Sequence, residues 1–429
     1  MRRGRIMAYV IIGNGIASLG AIDGIRKYDK KTPLIVIGAE NNAAYSKPLT
    51  SYLLAGKVNP DRLSLRSDDY YHGKNVDLKL ATTVEKIDLD QSVVVTSAGE
   101  KISFEKLLLA TGGIPYTPEI KGMDGQDVYN FTAIKDAYRL ITVLKKLKRA
   151  VVIGGGLIGL KAAESLYSRG VEVTVVESAE RVLSLAYDKD AAGLISRRVE
   201  EAGMQIRCNT SAEEIVRDKE GRLRGVLLDD ASFLEADAVV IAIGVVSNTN
   251  LARSAGVEID NGIIVNDHMQ TNIAQIYAAG DVAQAKDVIF DKDMVVPIWS
   301  NAYTQGYYAG KNIAGKKSGY PGTLAMSSIS FFGMPTISVG EVNPPADSED
   351  YEVYTFYNER KQSYRKLVFK GDQLSGYILV GDIDFAGMYT SFIKFKFKVD
   401  AYTRKKLSEG EPDVLMWPDD FFNKAWNPE

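Results

Sequence analysis

One pattern occurs twice in this chain and limits its fold more than any other feature. Tyr9-Val10-Ile11-Ile12 is a short β-type apolar run that meets Gly13-Asn14-Gly15-Ile16-Ala17-Ser18, then a helix-like stretch to about Tyr28, then a second apolar run from Leu34 to Ile37. About 140 residues later, Ala150 to Ile153 leads into Gly154-Gly155-Gly156-Leu157-Ile158-Gly159. A helix through Leu166 follows, Gly170 stops it, and the next strand, Val171 to Val176, ends on Glu177. Each copy is a strand, glycine turn, helix and strand, the unit of a parallel sheet covered by helices. Such a turn brings a pyrophosphate close to bare backbone N–H groups at a helix N-terminus. The alternative for either turn is a tight bend with no ligand.

An acid after the second strand would accept hydrogen bonds from ribose hydroxyls. Glu177 lies 23 residues after Gly154, close to the spacing of about 20 expected for that role. A carboxylate there repels a 2′-phosphate, and the nearest Arg is Arg181, so NADH is favoured over NADPH. In the first copy Ser18 replaces the last glycine, and Glu40, 27 residues after Gly13, is the nearest acid. Two such units in one chain suggest two dinucleotides. FAD with NAD(H) is the economical pair, because hydride transfer then needs no further cofactor.

The rest of the chain narrows the class. Lys plus Arg is 52 and Asp plus Glu is 55, which leaves no electrostatic footprint for nucleic acid. The longest apolar run, Ala238 to Val246, is nine residues, against about 20 for a membrane span. The basic start Met1 to Arg5 is followed by a short apolar stretch and glycines without a cleavage site, and Met7 is a second candidate start. Two histidines, His72 and His268, lie in polar sequence read as surface and do not make a His-rich metal site. One cysteine, Cys208, excludes an internal disulfide or a dithiol centre; it reads as a buried, inert thiol on a strand. A cytoplasmic protein is the simplest fit. Beyond Pro321 the sequence alternates in β fashion, at Ile329 to Phe332, Thr336 to Val339, Val353 to Phe356 and Lys366 to Phe369, as a separate α+β domain would.

Further motifs carry a resemblance. LLLATGG at Leu107 to Gly113, IYAAGDVA at Ile276 to Ala283 and PIWSNAYTQGYYAGKNIAG at Pro297 to Gly315 together resemble the two-dinucleotide FAD/NAD(P)H oxidoreductases of the pyridine nucleotide–disulfide class. Tyr45-Ser46-Lys47-Pro48-Leu49-Thr50 and Arg365 to Ile393 are similar to the branch holding NADH:rubredoxin reductases, ferredoxin reductases and the N-terminal part of nitrite reductases. The resemblance implies an α/β fold with two Rossmann-like domains. An FAD domain would comprise residues 1–115 and 250–320, an NAD(H) domain 116–249 would be inserted in it, and a C-terminal α+β interface domain would cover 321–429.

It also implies site residues. FAD would lie against Gly13, Gly15, Ile16, Ala17, Ser18, Glu40, Lys47, Val84, Ala110, Thr111, Gly112, Gly280 and Asp281, the last at the ribityl chain. Trp299 would start a helix whose N-terminus faces the flavin pyrimidine edge, where its dipole favours negative charge. NAD(H) would lie against Gly154, Gly156, Ile158, Gly159, Glu177 and Gly244. Relatives that use a thiol carry one or two cysteines in the stretch Glu40 to Lys57, and this chain has none there. Electrons are therefore expected to pass from flavin to the acceptor without a sulfur relay and with no obligatory side-chain acid or nucleophile.

Two positions depart from the relatives. Lys161 stands where many of them carry a Glu near nicotinamide and flavin, which would invert the local charge, with Glu164 one turn on. Tyr52 replaces their Lys, which leaves Lys47 as the candidate flavin-side cation. The activity implied is an NADH-dependent reductase of a protein electron carrier of rubredoxin or ferredoxin type, with a homodimer through the C-terminal domain and no nucleic-acid or membrane partner. An accessory subunit of a larger redox complex and a peroxide-forming NADH oxidase are the alternatives. The run Lys394 to Lys406, with six positive residues and one negative, is either a solvated face or a dock for an acidic carrier. The acidic tail from Glu409 to Glu429, carrying Trp417, Phe421, Phe422 and Trp426, is expected to pack on its own chain or a partner subunit.

Overall fold

The computed structural model describes residues 7–409. The basic start and the aromatic residues of the tail lie outside the described residues. The chain divides into two compact units, one made of Met1–Leu53, Lys57–Tyr116 and Val245–Leu324, the other of Leu54–Gly56, Thr117–Gly244 and Ala325–Glu429.

In the first unit the apolar run Ala8–Ile12, ending in three β-branched residues, is fully buried and lies at the centre of a parallel sheet. The strands run in the order Val76–Lys79, Leu34–Ile37, Ala8–Ile12, Lys101–Leu109, with Ile276–Ala278 beyond. Ile12 pairs with Ile37 and Leu109, and Ala278 pairs with Leu109, so these strands end in one row. The first half of Lys101–Leu109 pairs antiparallel with Val93–Thr96, a hairpin legible in the alternation. The chain leaves this unit through Gly113–Pro115 and returns through Val245–Ser247, and the two segments pair antiparallel.

Two helices hold the sheet's first turn from one side. Ile16–Tyr28 and Trp299–Ile313 approach backbone to backbone through small residues on both. A Cβ added to Gly20 would lie 2.1 Å from the carbonyl O of Tyr303, and one added to Gly306 would lie 1.9 Å from that of Ala17. Gly24 and Gly310 repeat the contact one turn on, at 2.2 Å and 2.3 Å. No other residue leaves room for helices this close.

In the second unit the parallel order is Gln205–Arg207, Glu172–Val176, Arg149–Ile153, Ala238–Ile241, Val128–Asn130. Five antiparallel strands follow in space as Met326–Phe331, Met334–Gly340, Gln373–Val380, Ser363–Lys370 and Tyr351–Asn358, with the Ala386–Lys394 helix packed on them. Cys208 stands one residue past its strand and is half-buried, where full burial within the strand was expected. His72 is exposed on the short Asp68–Gly73 helix, and His268 is half-buried with a ring nitrogen 3.3 Å from the Ser318 carbonyl.

The helix contact generates a test. Gly306→Ala is expected to force the two helices apart and to lower the urea midpoint by the equivalent of about 1–3 kcal/mol. An unchanged midpoint would mean that the helices separate without cost.

Candidate functional site

The row of strand ends in the first unit sets the site. Gly13 follows Ile12 with φ +110°, a conformation L side chains rarely adopt, and its N–H donates to the Ile37 carbonyl at 2.8 Å. Beside it, Ala110 N–H donates to Ile12 O at 2.8 Å and Ala279 N–H to Leu109 O at 3.1 Å. The loops carrying Gly13 to Gly15, Gly38 to Glu40, Ala110 to Gly112 and Gly280 to Asp281 therefore leave the sheet side by side. In parallel sheets ligands bind in the crevice outside the carboxyl ends of the strands. A Cβ on Gly15 or on Gly112 would meet nothing within 4 Å, so the space over both backbones is open.

Ser18 is legible once the two copies are compared. At the matching position of the second copy, a Cβ on Gly159 would lie 1.9 Å from Gly154 O. Ser18 is buried, and its hydroxyl donates to Gly13 O at 2.6 Å, closing the same turn by a hydrogen bond. Ile16 and Ala17 open the helix, with Ala17 buried. Gly280 is fixed from behind: its N–H donates to Oε1 of Gln305, a fully buried side chain from the Trp299–Ile313 helix, at 2.7 Å. The sequence offered no signal for Gln305 beyond its place in that helix.

Around this row, burial pushes the Asp281 carboxyl above the usual carboxylate range and the positive charge of Lys47 opposes the shift. Lys47 is exposed at the start of a 3-10 turn. Glu40 is half-exposed and accepts from the Tyr45 hydroxyl at 3.0 Å. Thr111 Oγ1 donates to the Asn248 carbonyl at 2.8 Å, and Ser247 Oγ to the Asp281 carbonyl at 2.9 Å. Trp299 begins its helix 43% exposed, and Val84 is half-exposed on the Val84–Asp88 strand. Extended open backbone at a helix N-terminus, with a half-buried carboxylate and a cation nearby, fits a dinucleotide whose phosphates need N–H donors and whose sugar hydroxyls need an acceptor.

The second unit builds its own crevice. Gly154 repeats the turn with φ +109°, and its N–H donates to Val176 O at 2.8 Å. The Leu157–Tyr167 helix starts immediately after Gly156, where an added Cβ would meet nothing within 4 Å; the same holds at Gly244. Ile158 is 41% exposed at the first turn of this helix. Glu177 is bound back onto the turn: Oε2 accepts from Gly155 N–H at 2.7 Å and Oε1 from Ala179 N–H at 2.8 Å. The carboxylate is thereby held at the end of its strand with lone pairs left for ribose hydroxyls. Cys208 stands near Glu177, and burial together with that charge pushes the thiol up, away from the reactive thiolate. Among the described residues no group of His, Cys, Asp and Glu could hold a metal ion.

Comparison with known proteins agrees with this geometry. Residues 7–306 match the family described as pyridine nucleotide-disulphide oxidoreductase, and residues 326–396 match the rubredoxin NAD+ reductase C-terminal domain. A nitrite reductase of Bacillus subtilis (strain 168) is 33% identical over 375 residues, 87% of this chain and 45% of its own length. This chain thus spans less than half of that relative. The epsilon subunit of an NADH-dependent phenylglyoxylate dehydrogenase of Aromatoleum evansii is 32% identical, over 90% of this chain and 91% of the subunit. Among solved structures, the covalent putidaredoxin reductase–putidaredoxin complex has a chain with a TM-score of 0.86 and 25% identity, covering 98% of this chain and 99% of that one.

Asp281 supplies a test with a defined sign. Its folded-state carboxyl titrates higher than in the unfolded chain, so the native state loses stability as pH rises through that range. Asp281→Asn is expected to make the cofactor-free protein more stable at neutral pH, with the gain shrinking as pH falls and the native carboxyl takes up its proton. Urea midpoints across pH measure this, and a loss of stability at neutral pH would show that the carboxylate is satisfied in place.

Proposed function

We propose, from the premise that this chain belongs to the pyridine nucleotide-disulphide oxidoreductase family, that it is an NADH-dependent flavoprotein reductase of a protein electron carrier. When bound, FAD accepts a hydride from NADH and passes the electrons on. The chain's own task is to hold two dinucleotides, exclude water and present a surface to the acceptor. The observation that carries the reading is the pair of glycine turns at the carboxyl ends of two parallel sheets in a chain whose one cysteine, Cys208, lies beside Glu177 with its thiol pushed up by burial. Positioning of two rings supplies most of the rate in such a reaction, so no side chain need act as an acid or nucleophile.

The roles divide by unit. Gly13, Gly15 and the start of the Ile16–Tyr28 helix offer backbone N–H groups to the FAD pyrophosphate, with Asp281 at the sugar-like ribityl hydroxyls and Lys47 as the nearby cation. Gly154, Gly156 and Gly159 do the same for NADH, and Glu177 accepts from its ribose. The acceptor is an acidic carrier. Lys394, Lys396 and Lys398 are exposed in alternation with buried Phe397 and Val399, and Lys405 and Lys406 are exposed on the next helix. Such a basic face steers an acidic partner by long-range attraction. A cytoplasmic location belongs to the same reading, since NADH is made and consumed there.

A second reading is favoured by one observation: the phenylglyoxylate dehydrogenase relative that this chain matches nearly end to end is itself a subunit. In that case the acceptor is a partner subunit rather than a diffusing protein.

Anaerobic NADH titration of the yellow protein tests the proposal. NADH is expected to bleach the flavin, Cys208→Ser to bleach at the native rate, and added rubredoxin or ferredoxin to restore the colour, faster at low than at high salt. A flavin that stays yellow under NADH overturns the reading. Bleaching with no carrier turnover unless a partner subunit co-purifies favours the second one, and stoichiometric hydrogen peroxide in air identifies an oxidase.

A further inference from the structure

The second unit contains a contact that neither glycine turn calls for. Lys161 lies one turn into the Leu157–Tyr167 helix, the helix that opens at Gly156. Its ammonium donates to Glu164 Oε2 at 2.5 Å and to the carbonyl of Ser330 at 3.0 Å. Glu164 Oε1 accepts in turn from the N–H of Phe332 at 3.3 Å. From the Lys189–Glu201 helix, Arg198 donates through Nε and Nη2 to the Phe332 carbonyl, at 3.2 Å and 3.0 Å. Tyr167 meets the Phe332 ring edge-on, with centroids 5.9 Å apart.

Phe332 is the bend between the Met326–Phe331 and Met334–Gly340 strands, and its φ is +46°. A bulky residue in the left-handed region persists only where its surroundings over-determine it. Here both of its backbone groups are taken by charged side chains from two helices. The Lys161 and Glu164 side chains are only 13% and 10% exposed. An ion pair this dry repays its lost hydration only when further hydrogen bonds satisfy both partners. Each has one to the hairpin backbone.

The same turn is braced from a second direction. Gly155 O accepts from Leu183 N–H at 2.9 Å. A few residues on, Tyr187 Oη and Thr336 Oγ1 share a hydrogen bond of 2.7 Å. The buried Asp188 accepts from the Tyr364 hydroxyl at 2.6 Å and pairs with Lys366 at 3.0 Å. Thr336, Tyr364 and Lys366 all belong to the C-terminal sheet.

We propose that Lys161 is a positioning residue for NADH, which locks the helix of the second glycine turn to the C-terminal hairpin and so fixes the backbone that receives the pyrophosphate. The inference rests on the assignment of that turn to NADH. It gives the departure from the relatives' Glu a cause: a carboxylate at this position would face Glu164 and the Ser330 carbonyl with no proton to donate. The ammonium serves the join to the hairpin, so restoring the relatives' residue type damages the site.

The test is anaerobic stopped-flow bleaching of the FAD-loaded protein over a range of NADH concentrations. Lys161→Met is expected to raise the NADH concentration for half-saturation about five-fold or more. The limiting bleaching rate should stay within about two-fold, the pattern of a lost binding geometry with intact chemistry. Lys161→Arg, which still donates to both acceptors, is expected to recover most of the affinity, and Lys161→Glu to be the worst of the three. Should Lys161→Met not fold, Arg198→Ala removes the other helix's two bonds to the Phe332 carbonyl and is expected to shift half-saturation in the same direction. Half-saturation unchanged in these variants, or Lys161→Glu equal to the native protein, overturns the proposal. Amide hydrogen exchange separates it from the functional reading: with or without NADH bleaching, Lys161→Met is expected to speed exchange at both Phe332 and Gly155, and unaltered exchange at Gly155 would refute the lock.

Discussion

Where a parallel strand ends and a helix begins, backbone N–H groups are left without partners, and both halves of this molecule are organised around those donors. Gly13 and Gly154 take the same left-handed bend, and each donates its own N–H to the neighbouring strand. In the second copy Gly155 N–H is taken by Glu177, and the backbone is open at Gly15 and Gly156. The sheets, the covering helices and the acids at the second strand ends all follow from keeping that short stretch of backbone open and aimed. In the reading proposed above, a ligand that brings negative oxygens would take those donors.

The two copies solve one packing problem differently. In the second, Gly159 lets the helix touch the turn carbonyl directly. In the first, Ser18 stands off by the length of its side chain and bonds that carbonyl with its hydroxyl. The first unit then recovers its tightness elsewhere, through the glycines where Ile16–Tyr28 meets Trp299–Ile313 and through Gln305, which reaches from the second of these helices to the Gly280 amide. Rigidity behind the turn is thus supplied by residues far apart in the chain.

That distance explains what could be read beforehand. The glycine turns, the strands beside them, Glu177 and the C-terminal β run are local signals, written within about twenty residues and governed by backbone geometry. Gln305, the Lys161–Glu164 pair and the Asp188 cluster gain their meaning only from partners more than twenty residues away, and a lysine on a helix looks alike whether it meets solvent or a carbonyl. Lys161 read as a charge beside the nicotinamide for that reason. Gln205-Ile206-Arg207-Cys208 reads as one strand, yet the pairing with Thr174, Val175 and Val176 stops at Arg207. Glu40 comes late after its glycine turn because a loop intervenes, and in that loop it is held by Tyr45.

The antiparallel pairing of Gly113–Pro115 with Val245–Ser247 also bears on how such chains diversify. Because the outgoing and returning threads run side by side, the stretch between them resembles a cassette that a tight bend could replace. The cluster at Asp188 limits that freedom. A middle stretch replaced alone would leave the buried Asp188 carboxylate without Tyr364 and Lys366, so the central and terminal portions depend on one another for that cluster.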